Sequence, residues 1–397
     1  MKKTLLLTLF TSLFIINLSS AQWAKTGSTG TGMVLSMAVD GNYIFAGTSS
    51  GIYLSVNNGT SWTTTNTGLT TTYVQAMAIS GTNLFAATQS GGVFLSTNNG
   101  TSWTAVNSGL TNLGVYALAV SGTKLFAATY SGVFLSNNNG TSWTAVNSGL
   151  TTQAVTSLAV SGSNLFAGTY GGGMFLSTNN GTSWTAVNSG ITTTNINSLA
   201  VSGTNIFAMT WGSGIFVSSD NGTSWSTVNT GLSNDYLYSM VAVGGNLFVG
   251  VDNAGVYMSS NNGSTWSAYN TGMTSENVMC LISSGNSLYA GTNANGVYKK
   301  DISALLTGVA EVSADKNINV YPNPFSKQAT VSVELEKNST VQIVLYNAIG
   351  QQISVLENAT LTSGSYTYNL NVNDKGVYFL RTVINGVAST KKIIQED

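Results

Sequence analysis

The groups between residues 22 and 300 that could do chemistry are few enough to name. The carboxylates are Asp40, Asp220, Asp235, Asp252 and Glu276, and the amines are Lys25, Lys124, Lys299 and Lys300. The whole chain has no histidine, its one arginine is Arg381, and its one cysteine is Cys280. Without histidine there is no Ser-His-Asp relay, no imidazole acid–base step and no imidazole metal ligand. Two carboxylates flanking one glycosidic bond could hydrolyse it, one as acid and the other as base or nucleophile. The same oxygens could hold calcium, although no cofactor at all is the plainer expectation. Otherwise, aromatic side chains set among Asn, Ser and Thr make a non-catalytic face for a sugar or a protein. The aromatics in question are Tyr130, Tyr170, Trp211 and Tyr236, in Gly-bounded loops; the acids Asp235, Asp252 and Glu276 occupy loops of the same kind. A net charge of −1 with no basic patch excludes nucleic acid as a partner. Cys280 lies in the apolar run Val278–Ile282 and is expected in the core.

These loops belong to a repeat. The string S-x-[ND]-N-G-[TS]-[ST]-W occurs six times. Its marked positions are Ser55, Asn57, Gly59, Trp62; Ser96, Asn98, Gly100, Trp103; Ser136, Asn138, Gly140, Trp143; Ser177, Asn179, Gly181, Trp184; Ser218, Asp220, Gly222, Trp225; and Ser259, Asn261, Gly263, Trp266. The tryptophans recur every 40 or 41 residues, the period of a four-stranded propeller blade. Within one unit, Val115–Val120, Leu125–Thr129, Val133–Ser136 and Trp143–Val146 are short apolar runs between Gly/Asn/Ser turns, an antiparallel meander. After Trp266 three more strands follow but no tryptophan strand, whereas Trp23 stands 39 residues before Trp62, in phase. The N-terminal strand therefore completes the last blade, which makes seven and hides the sheet edges.

Alternation around the meander sorts the loops between two faces. Asp40 and Asp220 share the face of the repeated turns. Asp235 and Glu276 lie in links entering blades six and seven, and Asp252 in a turn within blade six, on the other face. The turns carrying Tyr130, Tyr170 and Trp211, and the links carrying Tyr73 and Tyr236, fall there as well. Any ligand site is expected on that face, towards blades three to six.

The six strings resemble the Asp-box first noticed in bacterial neuraminidases, a resemblance that covers residues 22–300. In five of them Asn stands at the acidic position, and Asp only at Asp220. The resemblance implies a structural turn on the face opposite any active site, as the left-handed angles accepted by Asn-Gly turns also favour. The same strings match glycosylation acceptors, but their recurrence at one turn favours the structural role. Sialidases with this propeller hold the substrate carboxylate with an arginine cluster, so sialidase activity is excluded here. Propellers resembling the xyloglucan-cleaving enzymes use acidic residues, which keeps a hydrolase of extracellular polysaccharide as the alternative. Short, near-identical loops such as Asn-Ser-Gly-Leu-Thr favour a secreted or cell-surface recognition or scaffolding propeller.

The two ends differ from the repeat. Lys2 and Lys3, the apolar stretch Leu5–Leu18 and Ser19-Ser20-Ala21 read as a signal peptide over residues 1–21, too short to span a bilayer as a helix. No later stretch reads as a transmembrane segment. Composition changes after Lys300, giving a linker over 301–316 and a domain over 317–397. There Tyr321–Phe325, Val341–Gln351, Gly376–Arg381 and Lys391–Ile394 resemble, in order, the type A sorting domain of the type IX secretion system. This resemblance implies two partners in turn, the general secretion machinery and then the type IX machinery through residues 317–397. The fold expected overall is all-β: a seven-bladed propeller followed by a small β-sandwich.

Overall fold

In this computed structural model, residues 22–30, 32–273, 276–306, 318–335, 337–347, 352–372, 374–384 and 387–396 are described. The expected signal peptide and residues 307–316 of the expected linker lie outside the described residues. Contacts divide the chain after Leu306. The first unit therefore runs past the expected boundary at Lys300: Ile302 is buried among Trp23, Val278 and Leu288, and a one-turn helix, Ser303–Leu306, follows it.

Among the described residues the first unit is seven antiparallel sheets of four strands. Blade three is typical, with strands Val115–Ser121, Lys124–Thr129, Gly132–Ser136 and Thr144–Ala145. Its second strand is a continuous apolar run because blades cover both of its faces: Leu125 to Thr129 are all buried. The core is accordingly divided between blades, for example Phe85, Val93, Val115, Leu125 and Trp143 between blades two and three. The outermost strand is only two residues long and exposed.

The repeated turn is closed by its own side chains. In blade three the Ser136 hydroxyl accepts from Gly140 N at 2.8 Å and donates to Asn138 Oδ1 at 2.9 Å. Asn138 Oδ1 also accepts from Ser142 N at 2.9 Å. Asn139 and Gly140 hold φ of 54° and 80°, where Asn and Gly are least strained. At Asp220 the bonds from Ser224 and then Ser218 hold the carboxyl down at about 2.

The tryptophan that follows fastens each blade to the one before. Trp143 N donates to Ser108 O at 2.8 Å and its indole Nε1 to Val106 O at 2.7 Å. A Cβ on Gly109 (φ 87°) would run into the Trp143 carbonyl, so only glycine lets the strands approach. The ring closes by the same contacts. Ala24 and Lys25 pair with Lys299 and Tyr298, Trp23 N donates to Thr271 O at 2.8 Å, and its Nε1 to Tyr269 O at 2.6 Å. On the inner side Val34 of blade one packs with Cys280 of blade seven, whose thiol burial pushes up to about 12.

The second unit, described by itself, is a sandwich of Ile318–Tyr321, Ala329–Leu335 and Gly364–Leu370 against Gln352–Leu361, Ser339–Asn347, Gly376–Ile384 and Val387–Gln395. Strand Ala329–Leu335 alternates in and out, sending Ala329, Val331, Val333 and Leu335 to a core with Ile343, Leu345, Leu380 and Ile393.

Trp23→Ala removes a buried ring and the indole bond at the point of closure, a loss of about 3–5 kcal/mol. We expect the melting temperature of the first unit to fall by roughly 5–15 °C, and deletion of Gln22–Gly27 to do at least as much. An unchanged melting curve would show that the ring does not depend on this strand.

Candidate functional site

The face away from the repeated turns opens on the axis into a cavity of about 930 Å³. Its shape comes from a device repeated seven times. Each inner strand breaks register after its first residue, with shifts at Val34/Ser36, Val74/Ala76, Val115/Ala117, Val155/Ser157, Ile196/Ser198, Leu237/Ser239 and Val278/Cys280. A bulge leaves one residue unpaired and re-aims its side chain. The seven bulged residues are Leu35, Gln75, Tyr116, Thr156, Asn197, Tyr238 and Met279, and every one lines the cavity. Two steps along the strands, Met37, Met77, Leu158, Leu199 and Leu281 form an inner, apolar tier of the lining. The cavity is a cup. No charged residue is among those that line it.

The expected site residues divide around this cup. Tyr130, Tyr170 and Trp211 line it and are each more than half exposed. Tyr130 stacks on the bulged Tyr116, with ring centroids 4.3 Å apart and planes at 19°. Burial, and then the bond with Tyr130, raises the Tyr116 phenol. Trp211 pairs through an isolated antiparallel bridge with Tyr236, and Gly212 N donates to Asp235 O at 3.2 Å. Tyr236, also more than half exposed, and the exposed Asp235 thus sit on the rim beside Trp211, outside the lining. Asp252 lies behind the wall. Its Oδ1 accepts from Tyr238 OH at 2.8 Å and its Oδ2 from Asn253 Nδ2 at 2.8 Å. Burial first, and this carboxylate second, push Tyr238 up to about 12.

Glu276 corrects the expectation. It is only 6% exposed and turned into blade seven, where Oε1 accepts from Asn295 Nδ2 at 2.6 Å and from Tyr298 OH at 3.5 Å. A carboxylate in an apolar blade must find donors, and Asn295 of the neighbouring turn supplies one. It does not join Asp235 on the rim, and neither does Asp252. Among the described residues no three His, Cys, Asp or Glu side chains gather to hold a metal.

The bulged ring is what reading the sequence missed. A bulge leaves no mark in an apolar run such as Val115–Val120. The available signal was variation: the columns on either side of it in the inner strand hold Val, Ile or Leu and then Ser, Ala or Cys, whereas this one reads Leu, Gln, Tyr, Thr, Asn, Tyr, Met. Two of these residues also tie blades together. Thr156 Oγ1 donates to Ile196 O at 2.5 Å and Asn197 Nδ2 to Leu237 O at 2.6 Å.

With this geometry in view, the chain compares with known proteins as follows. Residues 19–150 and 112–233, together more than half of the chain, match the family described as the DUF6242 beta propeller domain. Residues 319–396 match the secretion system C-terminal sorting domain. No curated protein matches by sequence. Among solved structures, YCF48 bound to D1 peptide is similar at TM-score 0.59 and 14% identity, over 72% of this chain and 98% of that one. The extracellular domain assigned to a hybrid two component system from B. thetaiotaomicron gives 0.61 and 17%, over 95% of this chain and 58% of that one. The GH74 enzyme of Niastella koreensis gives 0.52 and 19%, over 68% of this chain and 43% of that one. At these identities the likeness is one of fold. Among the described residues no helix is long and apolar enough to cross a membrane.

Replacing Asp252 by Asn should bring the Tyr238 phenol part of the way from about 12 back towards its ordinary value of about 10. Burial, the larger cause, remains. The tyrosine ring carbon shift followed against pH measures this, and an unmoved midpoint would separate the two side chains.

Proposed function

We propose that this chain, which belongs to the DUF6242 β-propeller family and carries a secretion system sorting domain, binds a neutral extracellular glycan at the axial mouth without cleaving it. The sorting domain marks the protein for export to the surface or beyond, so its ligands are extracellular. Entry to that route through a leader at residues 1–21 is part of the same proposal. One observation carries the choice of ligand: exposed Tyr130, Tyr170 and Trp211 flank a cup lined by no charged residue. Exposed aromatic faces in a row are a poor use of surface unless something stacks on them. A charged ligand entering the cup would lose water and gain no counter-charge.

The solved relatives permit other ligands. YCF48 was solved with a D1 peptide, and the Niastella koreensis protein is a GH74 enzyme. Hydrolysis would need two carboxylates across one bond. Here Asp252 is engaged by Tyr238 and Asn253, and Glu276 is buried in blade seven, which favours binding over cleavage.

Screening the purified chain against immobilised neutral polysaccharides should find binding that is insensitive to ionic strength. Trp211→Ala with Tyr170→Ala should weaken it about 10- to 100-fold and move the melting temperature little. Unfolding of this double variant would make the two residues structural, and release of new reducing ends would favour the hydrolase.

A chain ended after Leu306 should fold and, in a host with type IX secretion, accumulate in the periplasm. Surface display of that shortened chain would overturn the assigned role of residues 317–397.

A further inference from the structure

We infer that the buried serine of each repeated turn is a chemical guard, which keeps the labile Asn–Gly step of that turn from deamidating. This role belongs to the face away from the axial mouth and is independent of any ligand there.

Six Asn–Gly steps fall in these turns, beginning at Asn58, Asn99, Asn139, Asn180, Asn221 and Asn262. The geometry of the turn calls for the pair. All six asparagines hold φ between 53° and 57°, and the glycines after them between 79° and 85°. Asparagine is among the few residues with a side chain that accept the first conformation. At the second, positive φ is joined by crowding. A Cβ on Gly100, Gly140 or Gly181 would come within 2.8–2.9 Å of Phe45, Val106 or Val146 of the preceding blade. The fold therefore sets the same step at the same turn of six blades.

That step carries a reaction of its own. The glycine nitrogen, on losing its proton, attacks the asparagine side-chain Cγ; a succinimide ring closes and ammonia leaves. Water then opens the ring at either carbonyl, giving aspartate or, with the main chain rerouted through the side chain, isoaspartate. Glycine hinders this attack least, because it has no Cβ beside the nitrogen. All six asparagines are exposed, so their amide groups meet water.

The attacking atom is not exposed. In all six turns the glycine N–H donates to the hydroxyl of the serine four residues before it, at 2.8 or 2.9 Å. Those serines are no more than 1% exposed, and the glycines are buried. Each serine gives its own proton to the Asn or Asp two residues on, at 2.7–3.0 Å, and is thereby turned to accept. The proton that must leave is thus held in a buried hydrogen bond, out of reach of hydroxide. The nitrogen cannot swing to Cγ until that bond opens, and opening strips a buried donor of its partner.

The test follows single steps by peptide mass spectrometry, with isoaspartate detected separately. The full chain is incubated at mildly alkaline pH, below its melting transition. Ser136→Ala should speed loss of the Asn139 amide about 5- to 100-fold, while the other five steps keep their rates. Asn138→Ala supplies the comparison. It removes the acceptor for Ser136 Oγ and Ser142 N, loosening the same turn, yet leaves Ser136 to receive Gly140 N. Asn139 should then stay near its original rate. Equal acceleration by the two variants would assign protection to rigidity at large and overturn the guard. So would a Ser136→Ala chain whose Asn139 deamidates no faster than before, or one in which all six steps quicken together.

Discussion

The bond from each tryptophan to the blade before it is the constraint on which the rest of this protein depends. Trp143 shows the pattern: its amide and its indole both donate to carbonyls of blade two, and Gly109 yields the space its own carbonyl needs. Trp23 repeats the pattern against Thr271 and Tyr269, which turns a row of blades into a ring. Trp62 is the variation that proves instructive. Its indole donates to Thr26 Oγ1 at 3.1 Å, because the preceding blade is completed there by the N-terminal strand. Because the core is divided between blades, no blade buries its apolar faces alone, and closure is what gives the first and last blades a partner.

Closure also makes the mouth. Seven inner strands meet at the axis, and each carries its bulge at the same place, so seven side chains converge without any long loop. The two demands on the repeat are thereby separated. Columns that touch the next blade vary little: the tryptophan recurs in every blade, and the Phe of the second strand gives way only to Tyr289 in blade seven. The bulged column and the turn after the second strand face open space and can take Leu, Tyr, Asn or Trp freely. A ligand surface can change in this architecture at little risk to the fold.

Charge is distributed in keeping with this. Asp220 is satisfied within its own turn, Asp252 by Tyr238 and Asn253, and Glu276 by Asn295 and Tyr298. Lys300, buried and lowered in pKa by that burial, lies 3.6 Å from the centroid of the Tyr269 ring. What is left for the cup is uncharged, so shape, stacking and hydrogen bonds between neutral groups must select what enters.

The sequence by itself determined the repeat, the four strands of each blade and the phase of Trp23, because each rests on local spacing that the chain states outright. It also marked the sorting domain, through ordered short motifs. It left three things open. The edge strand Gln352–Leu361 went unread, since it falls between the ordered motifs and its apolar Ile353 and Val355 are exposed instead of facing a core. Glu276 read as a loop acid because nothing nearby in sequence shows that Asn295 and Tyr298, 19 and 22 residues on, come to meet it. The bulged ring was invisible, because whether an apolar residue pairs or turns outward depends on its register with the next strand. Only tertiary structure decided that seven such residues, some 40 apart in sequence, face one axis. Ring closure brings them together, and no local pattern encodes it.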